Sequence, residues 1–304
     1  MTRFRFRSPA LVLGALLALT ACDAVGDTAG PDLTDAEVAE ATEILAEALA
    51  EDGGGLTASV RDMTSSLSPD SLRDGPRGVR GHRRHDRPPC RAEVELTYDP
   101  GSGTHTVAYA CSAETDFGFV RYASELLYQF RDATGGFIPE PAANWPTVDA
   151  VTFGGTRSGV VERVRGDHSQ TSTFEQDGTW ALTALADDAA PAMLEGRQER
   201  TGTRTRTGPD GTASRSYHVV LSGSGIEVRE GPDGLGHAAV GQLVYTLTLE
   251  VTRNGEAETR VVEGTVELEE NGRALLRLIG IRGVYRVSLG DGLTDRASDR
   301  PGSV

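Results

Sequence analysis

The fold is decided by residues 241–278, which read GQLVYTLTLEVTRNGEAETRVVEGTVELEENGRALLRL. Apolar and polar residues alternate along this stretch, as they do in antiparallel strands that bury one face. Asn254-Gly255 and Glu270-Asn271-Gly272 are hairpin turn sequences, so they divide the stretch into three strands. Folding at these turns brings pairs of residues together on one face: Leu243 with Val266, Tyr245 with Gly264, Leu247 with Val262, Val266 with Leu276, and Leu268 with Ala274. The stretch therefore predicts a meander, in which each strand pairs with the next along the chain.

The same alternation, broken by turns rich in glycine and proline, extends from this stretch back to Cys90. We predict one antiparallel β domain over residues 90–290, a curved, open-barrel-like meander of about ten to twelve strands; the alternative is a β-sandwich. In general plan, though in no motif, this resembles the open-barrel lipoprotein carriers of the bacterial envelope. The composition after Gly290 predicts a disordered tail over residues 291–304. The predicted strands ahead of residue 240 lie near 117–120, 126–130, 150–165, 168–184, 195–207, 212–221 and 226–230.

One predicted strand has no apolar face, because residues 201–207 read TGTRTRT. Such a strand is expected to protrude or to lie at a sheet edge, where charge discourages aggregation. Its guanidinium groups could also hold a carboxylate or a phosphate. Arg204 and Arg206 are therefore candidate anion-binding residues.

Residues 34–68 are predicted to be helical, ahead of the β domain. Thr34 and Glu37 have the spacing of a capping box. An alanine-rich apolar stripe follows, and a second short stripe begins at Leu56, after the glycines at 53–55. We expect both stripes to pack against the apolar face of the sheet; the alternative is a pair of helices that bind a partner.

Residues 69–89 are rich in arginine, glycine and proline, which is typical of an exposed linker. The alternative interpretation is a basic patch for an anionic glycan or a phosphate. On that interpretation Arg83 and Arg84 join the candidate anion-binding residues.

The N-terminus has the order of features found in an export signal. Three arginines within residues 3–7 precede an apolar run from Ala10 to Leu19, which is too short to span a bilayer core of about 30 Å. The run ends in Leu19-Thr20-Ala21-Cys22, which resembles the lipobox of bacterial lipoproteins. The resemblance implies that residues 1–21 are a signal peptide and that Cys22 carries a lipid. Residues 22–33 would then form a flexible tether, and the protein would be anchored in the cell envelope, at the periplasmic face or the outer surface.

If lipid occupies Cys22, two cysteines remain, Cys90 and Cys111. Placing them opposite each other in a hairpin keeps every apolar pair on one face, with Val94 opposite Val107 and Leu96 opposite His105. We therefore predict a cross-strand disulfide, as an oxidising compartment favours.

Composition excludes several functions. The chain has 304 residues and a net charge of −15, and removal of residues 1–21 removes three arginines and no acidic residue, which gives −18. Such a charge disfavours nucleic-acid binding. Because all thirty basic residues are arginine, no P-loop lysine, pyridoxal Schiff base or Ser-x-x-Lys nucleophile can form.

No catalytic, cofactor or metal motif is present in the sequence. We therefore expect a non-enzymatic lipoprotein that binds or scaffolds, holding an apolar small molecule between helix and sheet. Two alternatives stay open. One is a surface-exposed interaction or structural protein that uses its arginine- and threonine-rich strands, and the other is a hydrolase with a spatially assembled carboxylate pair.

Overall fold

The computed structural model describes residues 33–50, 54–65, 94–115, 118–141, 143–186, 191–209, 211–231, 234–253, 256–270, 272–290 and 292–297. Over these residues the protein is mainly β, as predicted: two short helices precede one antiparallel sheet of twelve strands, which is not closed. Residues 1–32, with Cys22, lie outside the described part. So does the segment 66–93, with Arg83, Arg84 and Cys90.

The first helix begins at the predicted capping box and ends ahead of the glycines at 53–55, and the second begins at Leu56, as the sequence signals indicate. Helix α1 spans Asp35–Leu49, and the predicted capping box is present, because the Thr34 hydroxyl accepts from the Glu37 backbone while the Glu37 carboxylate accepts from the Thr34 backbone. Helix α2 spans Leu56–Ser65. Between them Gly54 has a φ of +66°, a left-handed conformation that glycine adopts without strain.

The sheet is a continuous meander in which each strand pairs only with its sequence neighbours. The β-sandwich alternative is therefore wrong. The strands are β1 Val94–Asp99, β2 Thr104–Thr115, β3 Gly118–Arg131, β4 Ala150–Arg165, β5 His168–Thr183, β6 Ala192–Gly208, β7 Gly211–Gly231, β8 Gly234–Arg253, β9 Glu256–Glu269, β10 Arg273–Leu278, β11 Val284–Ser288 and β12 Thr294–Ala297. A short 3₁₀ turn, Trp145–Thr147, lies between β3 and β4.

Several strands are longer than the sequence suggested. The segments predicted near 117–120 and 126–130 form one strand, β3, and those near 212–221 and 226–230 form β7. The pairing of β7 with β8 shifts register between Gly223 and Glu227, so an irregularity replaces the expected break. The tail after Gly290 was also predicted wrongly in part, since residues 294–297 form β12 and pair with β11.

The registers predicted for the last three hairpin strands are confirmed. Leu243 pairs with Val266, Tyr245 with Gly264 and Leu247 with Val262 across β8 and β9. Val266 pairs with Leu276, and Leu268 with Ala274, across β9 and β10. Gly272, in the turn between β9 and β10, has a φ of +72°, as the turn sequence requires.

The register predicted for β1 and β2 is wrong by two residues. Val94 pairs with Tyr109 rather than Val107, and Leu96 pairs with Val107 rather than His105. The reason lies in the turn, where Asp99 pairs with Thr104 and its carboxylate accepts from Gly101 N at 2.9 Å and from Ser102 Oγ at 2.7 Å. The shift of two leaves each residue on its predicted face.

The sheet curves around α1. Adjacent strands lie about 4.8 Å apart, so a flat sheet would separate β5 from β12 by roughly 34 Å, whereas a helix is about 10 Å across. Nevertheless α1 contacts β5 through Glu47 and Ser172, and it also contacts β12. The face that holds the helices is therefore concave, and we call it the inner face.

A hydrophobic core fills the space between the helices and the inner face. Ile44, Leu45 and Leu49 of α1 and Leu56 of α2 are buried together with apolar residues from β2 to β11. The helical stripes therefore pack against the sheet, which confirms the first of the two interpretations drawn from their pattern.

Candidate functional site

From Arg200 to Thr207, strand β6 carries its arginines on the inner face and its threonines on the outer face. Arg200 and Arg204 are almost fully buried, with 1% and 3% of their side chains exposed, whereas Arg206 is exposed. Strand β6 lies in the interior of the sheet, between β5 and β7. The expectation that residues 201–207 protrude or form an edge is therefore wrong, because helix α1 covers the charged face.

Helix α1 supplies the opposite charges. Glu40, Glu43 and Glu47 are spaced three and four residues apart, so they lie along one side of the helix. Glu47 is buried, and its carboxylate lies 3.0 Å from Arg200 Nη2 and 3.8 Å from Arg204 Nη2.

The pairing continues towards the start of α1. Glu43 lies 3.1 Å from Arg204 Nη1 and also binds Arg206. Glu40 lies 3.1 Å from Nε of Arg215, on β7. We call these seven residues the helix–sheet ion cluster.

Polar and aromatic side chains surround the buried part of this cluster. The Arg200 guanidinium lies 3.9 Å from the centre of the Phe174 ring and within hydrogen-bond distance of Tyr217 and Gln176. Burial raises the pKa of the Tyr217 hydroxyl, so it stays protonated and can donate. Burial lowers the pKa of Arg204, and the charges of Glu47 and Glu43 oppose that shift.

Arg157, on β4, fixes the turn between the two helices. Its guanidinium donates to the backbone oxygen of Gly54 at 3.1 Å, to the Tyr109 hydroxyl at 3.1 Å and to the Ser124 hydroxyl at 2.9 Å. Gln176 of β5 donates to Ser59 of α2 at 3.2 Å. Buried polar contacts therefore hold each helix to the sheet, in addition to the hydrophobic core.

These contacts change the interpretation of the predicted anion sites. The structure brings Arg204 and Arg206 together, and carboxylates of the chain's own helix bind both. Sequence reasoning missed those glutamates, together with Arg157, Arg200 and Arg215. The spacing of Glu40, Glu43 and Glu47 along one side of α1 was the signal that could have revealed them.

The outer face carries a large open groove near β1–β6. It encloses about 980 Å³ and is lined by short side chains, such as Ala110, Ala123 and Ser158, and by carboxylates. The carboxylates are Glu95, Glu125, Glu175, Asp177 and Glu199. Hydrogen bonding from Arg197 holds the pKa of Glu199 below its usual value. The groove is acidic and open to solvent, in contrast to the apolar space between helix and sheet.

The buried carboxylates of the described residues do not form a pair with glycosidase spacing. Within the described ranges, two carboxylates are buried, Glu37 and Glu47. They are ten residues apart on one helix, or about 15 Å, which exceeds the 5–10 Å of glycosidase pairs. Both are also engaged, one in the capping box and the other with Arg200.

The remaining predicted sites are described only in part. Cys111 lies on β2, where its backbone pairs with Tyr122 of β3. Cys22, Cys90, Arg83 and Arg84 fall outside the described residues. The described residues contain no group of three or more histidine, cysteine or acidic side chains placed to hold a metal ion. Neither helix is long and apolar enough to cross a membrane.

Comparisons of the chain with protein-family models, with curated proteins and with solved structures found no match. The case for a function therefore comes from the sequence and from the geometry of the described residues.

Proposed function

We propose that this protein is a membrane-anchored lipoprotein of the cell envelope that binds an apolar ligand without catalysing a reaction. The ligand would lie on the inner face of the sheet, in the space that the helices α1 and α2 occupy in the free protein. The observation that carries the proposal is the helical layer itself. Two short helices, rather than a second sheet, cover the apolar inner face of an open sheet.

The way in which the two helices are attached to the inner face of the sheet favours their displacement by a ligand. Helix α1 is joined to the sheet by Arg200 with Glu47 and Arg215 with Glu40, the turn after it by Arg157 with Gly54, and α2 by Gln176 with Ser59. The rest of the attachment is apolar contact, which a hydrocarbon chain could replace at similar free energy per area buried. A ligand that lifts the helices would exchange one apolar partner of the sheet for another where the contact is apolar, and water would take the place of Glu47 at Arg200 and Arg204.

Lipid analysis of a soluble form tests this proposal. The Cys22→Ser variant, exported without lipid and purified without detergent, is extracted with organic solvent and examined by mass spectrometry. We expect envelope lipid at close to one molecule per protein. Absence of lipid, together with no binding of the neutral fluorescent probe N-phenyl-1-naphthylamine, contradicts the proposal.

A charge variant sharpens the test. Glu40→Gln removes the half-buried pair with Arg215, so it loosens the start of α1 and should increase the affinity for the probe several-fold. Glu263→Gln is the matched control, since Glu263 is exposed on the outer face of β9. Equal affinities for both variants would show that the helical layer does not control access to the inner face.

The anchor is tested separately. Intact-mass measurement of the membrane-extracted protein should show that residues 1–21 are absent and that Cys22 carries a lipid. The Cys22→Ser variant should leave the membrane fraction. An unmodified Cys22 on an otherwise processed chain would show that the protein is exported without an anchor.

A further inference from the structure

A small cavity lies between helix α2 and the inner face of the sheet. It has a volume of about 10 Å³ and is lined by Ser59 of α2 and by sheet residues that include Phe153, Trp180 and Gln198. A volume of this order is what one water molecule needs. We call it the Trp180 cavity.

Two glycines keep the cavity open. Gly155 of β4 and Gly178 of β5 are directly paired, and both line the cavity. A Cβ atom on Gly155 would lie 2.4 Å from the backbone oxygen of Glu125, and one on Gly178 would lie 3.0 Å from that of Arg197. Close strand packing therefore requires glycine here, and the absence of two side chains leaves the space beneath α2.

Two of the residues that line the Trp180 cavity carry buried hydrogen-bond donors. Trp180 and Gln198 are 1% and 2% exposed, and among the described residues neither Trp180 Nε1 nor Gln198 Nε2 has a hydrogen-bond partner. Buried N–H groups are rarely left without an acceptor, because desolvation is then uncompensated. Ser59 adds a hydroxyl, which donates to Gly55 O at 3.4 Å and accepts from Gln176 at 3.2 Å.

We propose that the Trp180 cavity is a binding site for one acceptor oxygen, which receives hydrogen bonds from Trp180 Nε1 and Gln198 Nε2. An oxygen with two lone pairs and the size of a water molecule fits both the volume and the two donors. Water supplies such an oxygen in the free protein. A carbonyl oxygen of an apolar ligand supplies the same chemistry, and this second source rests on the proposed function.

Nuclear magnetic resonance of the indole N–H groups tests the site. The chain has two tryptophans, so a protein labelled with ¹⁵N-tryptophan gives two indole signals, and Trp145→Phe identifies the signal of Trp180. We expect magnetisation transfer from a long-lived water to the Trp180 indole proton. Methyl palmitate should abolish that transfer and shift the signal downfield, whereas hexadecane, which lacks a carbonyl, should not.

Gln198→Met removes one donor while keeping the side-chain length. It should lower the affinity for methyl palmitate about tenfold, as expected for one hydrogen bond, and leave the affinity for hexadecane unchanged. Persistence of the water transfer when methyl palmitate is bound identifies the oxygen as water alone, which still supports the site.

The site is overturned if the Trp180 signal shows no transfer from water, does not respond to the ester and moves only in Gln198→Met. That result would show that the two side chains satisfy each other. The failure of the proposed function looks different, since neither methyl palmitate nor hexadecane would then bind while the water transfer persists.

Discussion

Glu47 is a buried carboxylate between two buried guanidinium groups, those of Arg200 and Arg204. Glu47→Gln keeps the shape of the side chain but removes its charge. The positive charges of Arg200 and Arg204 then lack the negative charge that balances them. We expect the variant to lose about 3 kcal/mol of unfolding free energy, measured by urea denaturation, because a buried charge without its partner is costly.

Glu43→Gln is the matched control on the same helix. Glu43 is 38% exposed, so water screens its pairs with Arg204 and Arg206, and we expect a loss below about 1 kcal/mol. Equal losses for the two variants would mean that burial does not determine the strength of the helix–sheet ion cluster.

We expect His105 to make the stability of the fold depend on pH. It is 7% exposed, its ring lies 4.5 Å from that of Tyr98, and burial lowers its pKa below the ordinary value of 6.5. The unfolded chain therefore takes up a proton at a higher pH than the folded chain. Its contribution to stability is present above about pH 6.5 and is lost as the pH falls towards the folded pKa, by at most about 1.4 kcal/mol per pH unit.

Thermal unfolding between pH 7.5 and 5 measures this contribution. His105→Gln cannot take up the proton, so we expect a shallower fall of the melting temperature with decreasing pH. His168→Gln, at an exposed position at the start of β5, serves as the control and should follow the wild-type curve. A His105→Gln curve parallel to the wild type would assign the pH dependence to other groups.

Between elements, β8, β9 and β10 pack closely around one glycine. Gly264 lies opposite Tyr245, whose hydroxyl donates to Arg277 O at 3.0 Å above it. A Cβ atom on Gly264 would lie 1.9 Å from that oxygen and 2.4 Å from the Tyr245 hydroxyl. We expect Gly264→Ala to cost about 2 kcal/mol in urea denaturation through overpacking.

Gly290→Ala is the control for that measurement, since a Cβ atom there meets nothing within 4 Å. We expect its effect to stay within about 0.5 kcal/mol. A neutral Gly264→Ala variant would show that the strands can separate without loss, and that the close approach is not required for their pairing.

The sequence predicts the pairing of strands that are joined by short turns, but it does not predict contacts between segments far apart in the chain. The β8–β9–β10 registers depend on turn residues and on alternation, which are local properties. The β1–β2 register depended on where the cysteines were placed, and the hydrogen bonds of Asp99 in the turn fix a different one. The ion cluster joins residues 153 to 175 positions apart in the chain, such as Glu47 with Arg200. No pattern within a short stretch of sequence indicates which distant residues will pair.

For the whole molecule, the predicted lipid on Cys22 and the predicted disulfide together account for all three cysteines. If Cys22 carries lipid and Cys90 is bonded to Cys111, the mature protein has no free thiol. Thiol titration in denaturant should therefore find none before reduction and two afterwards. Cys111→Ser is the comparison, and it should expose one thiol without reduction. Two thiols in the unreduced wild type would rule out the disulfide.

The contact between α1 and β6 also determines the order in which parts of the fold can form during synthesis. Glu47 and Arg200 are 153 residues apart in the chain, so at about 5–20 residues per second Arg200 is synthesised roughly eight to thirty seconds after Glu47. During that interval the apolar stripe of α1 has at most the first five strands to pack against, since each hairpin of the meander can form as soon as its two strands exist. The helices are therefore made first but attached late, and we expect the apolar stripe of α1 in a newly made chain to be open to proteases and aggregation at least until β6 has been made.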